Sequence, residues 1–496
     1  MRQLGAQDAA FLYFESRGAH LHLTSLNIYD QSTAPEGIVR HKDILRYVES
    51  RLHTSPVFRQ KLVSLPFSID YPYWVDDDQF DLEFHVRHIA LPEPRDWRQL
   101  CILVARIHSR RLDLSRPPWE IYVVEGLDNV DGIPEGAFAI IGKYHHAAID
   151  GASGQEIMSA LHSTTPKYES EPDVEPWEPD DQPSWFGLMT RAAVNNIRQP
   201  LQLARAVSAT LPGISRSFLR GEIPEIRPDN EVPDTRFNAE VSPHRVFEGQ
   251  TFDLKQLAAI RRAVAGATVN DVVLAICGGA LREYLLDKDE LPENSLIAMA
   301  PINTRIAEEE GVAGNMLAMM FVPIHSDIED PLARLRAVTE ATTNTKETRN
   351  AIAARQMTDL TQHIPSATTA LAGRLITGLG LGHKAIRVCN CTITNVPGPQ
   401  QPLYFNGAKL LKMTGCAPVV DGMGLIITAI SYNGEIVFSF SGCREMIPDP
   451  EKLSAYSVQS FKALQKAAAA EIAKAKTKRK KTRRKKGQVK QTAASA

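Results

Sequence analysis

No run of about twenty apolar residues occurs in this 496-residue chain, and the nearest candidate, Ala367 to Leu381, is interrupted by Arg374 and several glycines. A membrane-spanning helix is therefore not expected. The first residues, MRQLGAQDAAFLYFES, have no continuous apolar stretch before Asp8 and Glu15 and do not resemble a secretory signal, so none is expected. Six cysteines (Cys101, Cys277, Cys389, Cys391, Cys416 and Cys443) are scattered without a C-x-x-C pair, so neither a zinc ribbon nor a dithiol redox motif is indicated. Reduced thiols in a cytoplasmic protein are the reading. No repeat of twenty to fifty residues is visible, which excludes solenoids and propellers. What remains, at 43% apolar and 23% charged residues, is ordinary globular composition for two or three domains.

The net charge of −2 conceals an asymmetry. Eleven of the 56 cations lie between Lys474 and Lys490 with no acid among them, and the rest of the chain has 45 cations against 58 anions. An acidic body thus ends in a basic tail, and only the tail attracts anionic lipid or nucleic acid. The tail has no interleaved aromatics for base stacking, so specific nucleic-acid binding is not expected; disorder over 474–496 is.

Periodicity predicts an α/β protein in two parts. Residues 1–165 alternate strand-like runs (His20 to Tyr29, Glu120 to Glu125, Phe138 to Tyr144) with helical ones (His41 to Leu52, Trp97 to Arg111). The run from Phe138 is almost wholly apolar, which marks a central strand buried on both faces. Residues 166–240 hold an acidic, proline-rich linker and then amphipathic crossover helices from Trp185, suited to packing between domains or to a lipid surface. Residues 241–473 form a second α/β series.

The segment that carries chemistry is Tyr144-His145-His146-Ala147-Ala148-Ile149-Asp150-Gly151, where the apolar strand ends. Adjacent strand residues point to opposite faces, so one imidazole faces a cavity while the other packs inward. A neutral imidazole is a general base for a hydroxyl, worth about 10²–10⁴-fold in rate. Asp150 would hold the loop, with Gly151 giving it freedom to turn. Two other readings fit the residues: a structural pair of core histidines, and a metal site. The latter lacks a third ligand at usual spacing.

His-His-x-x-x-Asp-Gly resembles the active-site motif of the coenzyme-A-dependent acyltransferase superfamily. Four further blocks resemble one of its families, the bacterial wax ester synthase/acyl-CoA:diacylglycerol acyltransferases: LGAQDAAFLYFE from Leu4, departing at Ala6 and Gln7; LDLSRPPWE from Leu112, with Arg111 in place of a proline; TVNDVVLA from Thr268; and NVPGP from Asn395. The resemblance implies two chloramphenicol-acetyltransferase-like domains with an active-site tunnel between them. It implies acyl-CoA as co-substrate, no bound cofactor or metal, and a diacylglycerol or fatty alcohol as acceptor. His146 would be the general base, and His145, Asp150 and Gly151 would shape the motif. Carrier-dependent condensation domains share the motif, and a non-catalytic lipid-binding protein on the same fold is the non-enzyme alternative.

Thr268 and Asp271 read as a capping box that places Asn270 in a first helical turn, where an amide is a candidate oxyanion stabiliser. Solvation of a helix start is the alternative for Asn270. Asp113, Arg116, Pro117, Pro118 and Trp119 read as structural, and Asn395 to Pro399 as chain reversal. The lipid nature of the acceptor and the basic run 474–490 together imply peripheral contact with a membrane or lipid-inclusion surface from the cytoplasm.

Overall fold

A computed structural model describes residues 1–149, 157–167, 177–198, 232–303, 317–347, 366–378 and 387–494. Two six-stranded sheets organise them. The first runs in the order Tyr404–Phe405, Ala408–Cys416, His22–Asp30, Phe138–His145, Trp119–Glu125, Val86–Ala90. All its pairings are antiparallel except the last, between Trp119–Glu125 and Val86–Ala90. The strand Phe138–His145 is buried along its whole length. Its alternating residues feed two cores, Phe138 and Ile140 on one face and Ala139 and Ile141 on the other, which is what a continuous apolar run requires of a central strand.

The second sheet runs Leu317–Pro323, Ile297–Asn303, Cys391–Pro397, Leu425–Tyr432, Glu435–Cys443, Arg245–Asp253. Cys391–Pro397 pairs in parallel with both its neighbours. Helices Val269–Leu286 and Pro450–Ala494 pack together over this sheet. Small residues allow their close approach: a Cβ on Gly279 would fall 2.2 Å from Ser460 Oγ.

The two sheets exchange a hairpin. Residues Tyr404–Cys416 follow the second sheet's strand Cys391–Pro397, yet they extend the first sheet, with Ala408–Cys416 paired antiparallel to His22–Asp30. Asn395 to Pro397, expected as chain reversal, are instead still strand, paired with Ala429 to Ser431, and the chain crosses over from Gly398. Gly398 is required there, because a Cβ would lie 2.2 Å from the Ser431 carbonyl oxygen. A second tie is the helix Trp97–Ser109, which packs on the edge strand Arg245–Asp253; Trp97 Nε1 donates to Glu248 Oε1 at 2.5 Å.

Trp119 is fully buried, donates from Nε1 to the Phe58 carbonyl at 3.0 Å and meets the Phe58 ring edge-on. All six cysteines are free and buried. The helix Pro450–Ala494 continues through the basic run. Lys, Arg, Gln and Ala are strong helix formers, and elongating a helix already anchored by packing needs no new nucleus.

Candidate active site

His145 closes the central strand, opposite His22 in register, and the chain then turns through the short 3-10 segment His146–Ala148. The His145 amide donates to the Pro118 carbonyl at 2.9 Å and the His146 amide to the Leu21 carbonyl at 2.9 Å. Backbone bonds to two different neighbouring segments thus fix both residues. Their rings enter different surroundings.

The His145 ring is buried. Its Nδ1 accepts the Ala147 N–H at 3.1 Å, so a neutral ring carries its proton on Nε2, which lies 3.5 Å from Glu15 Oε1. Glu15 also accepts the Leu21 N–H at 3.0 Å and pairs with Arg111 at 3.1 Å. Burial pushes the Glu15 carboxyl up, but His145, the Leu21 amide and Arg111 outweigh it and leave the pKa below its usual value. A carboxylate therefore clamps the inward-facing histidine.

His146 is partly buried, and its ring stacks on Phe11 with centroids 3.8 Å apart and planes 15° from parallel. Nδ1 is buried and has no hydrogen-bond partner outside its own residue among the described residues. That leaves Nε2 as the nitrogen available to a substrate. Burial lowers the pKa to about 4, opposed by the residue's own backbone carbonyl and assisted by His145. The imidazole is therefore neutral at pH 7, the state a proton acceptor needs.

A second set of buried polar groups backs this strand end. Lys143 is fully buried, and its Nζ donates to the carbonyls of Ile107 (2.9 Å) and Arg110, satisfying the C-terminal end of helix Trp97–Ser109. Burial draws its pKa down to about 8, with Glu120 opposing. His22 Nε2 meets the His108 carbonyl at 2.5 Å, and Thr24 Oγ1 meets His108 Nδ1 at 2.9 Å.

Asn270 stands on a different element, helix Val269–Leu286. Thr268 caps helix Val269–Leu286 in a complete capping box: Thr268 Oγ1 accepts the Asp271 N–H at 3.2 Å, and Asp271 Oδ2 accepts the Thr268 N–H at 2.7 Å. Asp271 Oδ1 also accepts from Thr342 Oγ1 at 2.8 Å. Asn270 thus sits in the first turn, half-buried, and its neighbour Asp271 takes the capping work. Among the described residues no hydrogen bond joins Asn270 to His146. Asp150 and Gly151 lie outside the described residues. No group of three metal-ligating side chains occurs among those described.

The motif histidines were legible in the sequence, but Glu15, Phe11 and Arg111 were not assigned to them. The signal was present: Phe11 and Glu15 stand in the opening block, and Arg111 is the departure from the proline of the next one. The structure gives that departure a partner in Glu15.

Two family models match this chain: the wax ester synthase/diacylglycerol acyltransferase catalytic domain over residues 4–273 and the WS/DGAT C-terminal domain over residues 313–465. The chain belongs to the wax ester synthase/diacylglycerol acyltransferase family. Two putative diacylglycerol O-acyltransferases of Mycobacterium tuberculosis are similar to it. One is 31% identical, covering 90% of this chain and 87% of the relative; the other is 32% identical, covering 93% and 98%. Among solved structures, the wax ester synthase/diacylglycerol acyltransferase from Marinobacter aquaeolei VT8 superposes with a TM-score of 0.65 at 27% identity, over 94% of this chain and 100% of that one. The first condensation domain of the calcium-dependent antibiotic synthetase shares the fold, with a TM-score of 0.54 at 14% identity over 95% and 97%. In this wax ester synthase/diacylglycerol acyltransferase chain, the match to the catalytic domain includes Glu15, both motif histidines and Asn270.

Proposed function

We propose that the chain performs its family's O-acyl transfer, moving a fatty acyl group from acyl-CoA to the hydroxyl of a diacylglycerol, and also of a fatty alcohol, with His146 as general base. The observation that carries the assignment is a motif imidazole held neutral by burial under Phe11, with one ring nitrogen left for substrate. Nε2 takes the hydroxyl proton as the alcohol oxygen attacks the thioester carbonyl. The tetrahedral intermediate collapses, expelling the coenzyme A thiolate. The imidazolium returns its proton to that thiolate, so an ester and free coenzyme A leave and His146 is again neutral.

His145 acts at one remove. Clamped by Glu15, it fixes the turn on which His146 stands, and Asp150 and Gly151, the last residues of the motif, are assigned the same shaping role. An amide at Asn270, at a helix N-terminus where the backbone favours negative charge, is suited to the oxyanion and worth about 2.7–4 kcal/mol in comparable sites. Substrates would enter through a tunnel between the two sheets, acyl-CoA and acceptor from opposite sides. The acceptor's solubility places the enzyme at a membrane or lipid-inclusion surface in the cytoplasm, and no described helix is long and apolar enough to cross a membrane.

The test is incubation of the purified protein with oleoyl-CoA and diolein. Coenzyme A release with trioleoylglycerol formation is expected, and His146→Ala should lower the rate by about 10²–10⁴-fold with the fold intact. No release from the parent chain would overturn the transferase reading; a variant within tenfold of the parent would overturn the assignment of the base.

A further inference from the structure

Residues 185–198, WFGLMTRAAVNNIR, form a helix that is apolar on two sides. At 100° per residue, Leu188 and Ala192 share one face, and both are buried against Leu65 and Tyr73. Asn196 ties the same helix to the 65–70 loop, donating to the Ile69 carbonyl at 2.6 Å, and Asn195 donates to Asp70 Oδ2 at 2.8 Å. Phe186, Val194 and Ile197 fall on the other side, where Phe186 is 82% exposed and Ile197 70%, while Trp185 and Met189 flank the buried face and are also exposed. A helix that only packed between domains would have polar residues there.

The loop under this helix adds an independent oddity. Phe67 holds a left-handed backbone, φ +56°, which disfavours a bulky residue, and its side chain is 85% exposed. On the loop's other flank, helix Ser366–Gly378 packs on the 66–68 turn and on helix Ala6–Tyr13, with Tyr71 Oη meeting Thr369 Oγ1 at 3.4 Å. This helix turns Leu371 and Leu375 outward. Eight of the thirteen exposed large apolar side chains among the described residues lie on these three elements, so the exposure is concentrated rather than scattered.

Charge says what the surface meets. Helix 185–198 carries Arg191 and Arg198 and no acid, and helix Ser366–Gly378 carries Arg374 and no acid, on a body that is otherwise acidic; all three arginines are exposed. Aromatic and aliphatic side chains rimmed by arginine match the boundary between acyl chains and anionic headgroups. The surface is also one helix away from the chemistry. In helix Ala6–Tyr13, Phe11 stacks on His146, while Tyr13 Oη bonds Ser366 Oγ at 2.7 Å.

We propose that Phe67, helix 185–198 and the Leu371/Leu375 face form one docking surface for an anionic phospholipid bilayer, from which the lipid acceptor reaches His146. This rests on the acceptor being a lipid, as proposed above. The test compares the full chain with a Phe67→Ser, Phe186→Ser, Ile197→Ser variant by co-sedimentation with phosphatidylcholine/phosphatidylglycerol vesicles carrying diolein. The assay runs at low salt and at about 0.5 M salt, where attraction to the Lys474–Lys490 run is screened.

Because all three side chains are exposed, the variant should keep the parent's circular dichroism and thermal midpoint. At high salt its vesicle partition should fall at least about tenfold, and its turnover of vesicle-borne diolein should fall in step, with turnover of dissolved hexanol unchanged. Partition within twofold of the parent would overturn the proposal. So would a change of oligomeric state without a change of partition, which would assign the surface to a second copy of the chain. A loss of partition in a protein that acylates neither acceptor would sustain the docking surface and refute only the enzymatic reading.

Discussion

The pH dependence of turnover tests the account of His146 most directly. A histidine at its ordinary pKa of about 6.5 is about 90% protonated at pH 5.5, and an enzyme relying on it loses about tenfold of its rate there. With a pKa of about 4, His146 remains almost wholly neutral at that pH. The acid limb of kcat/KM should therefore fall near pH 4 to 5, with a plateau from about pH 6 upward. Burial is the largest cause of the shift, and the Phe11 ring at 3.8 Å supplies one face of it. Phe11→Ala should thus move the acid limb upward by about one unit, toward 6.5, and lower the rate at pH 4.5 about fourfold relative to the variant's own plateau, where the parent loses only about a quarter. Initial rates of coenzyme A release after rapid dilution from neutral stock measure both limbs. Dilution matters because the same depressed pKa weakens the fold in acid: unfolded His146 takes up a proton below about pH 6.5 that the folded residue refuses until about pH 4. A parent acid limb between pH 6 and 7, or one that Phe11→Ala leaves in place, would refute the argument.

Glu15→Ala leaves the Leu21 amide without its acceptor and the buried His145 ring without its neighbouring carboxylate, at a cost of about 2–4 kcal/mol in urea unfolding, and should lower kcat more than it raises KM. Because the folded carboxyl titrates below its usual value, that stabilisation is complete above the ordinary carboxylate range and vanishes as pH falls through the lowered pKa, so parent and variant unfolding curves should converge in acid. Asn270→Ala should cost about 10²–10³ in kcat while unfolding within about 0.5 kcal/mol of the parent. Thr268→Ala, which removes the cap of the same helix, should cost about 1 kcal/mol of stability, and Thr268→Ser should restore it. Equal kinetic and stability losses in Asn270→Ala would assign that residue to the helix start instead. Gly398→Ala pushes a methyl to 2.2 Å from the Ser431 carbonyl oxygen, and a loss below about 1 kcal/mol by denaturant titration would show that the crossing turn has slack.

Much of the local structure was legible because local physics sets it. The buried strand Phe138–His145 declared itself by an unbroken apolar run, helix Val269–Leu286 by Thr268 and Asp271, and helix Trp97–Ser109 by the spacing of Leu100, Val104 and Ile107. The histidine pair was found by motif, and its place at a strand end by periodicity. The course of helix Pro450–Ala494 past Lys474 is not legible in local composition, because it follows from propagation out of a packed helix.

The sequence by itself determined which residues are buried in strands, where the capped helices begin and which imidazoles are available, because each follows from neighbours a few positions apart. Only the tertiary structure decided that Glu15 clamps His145, that Phe11 covers His146 and that hairpin Tyr404–Cys416 completes the first sheet. These contacts join residues some 130 to 390 positions apart, across packing that no period of two or 3.6 encodes. The neutral charge state of His146 belongs with them, since burial by a distant ring, not the residue type, sets it.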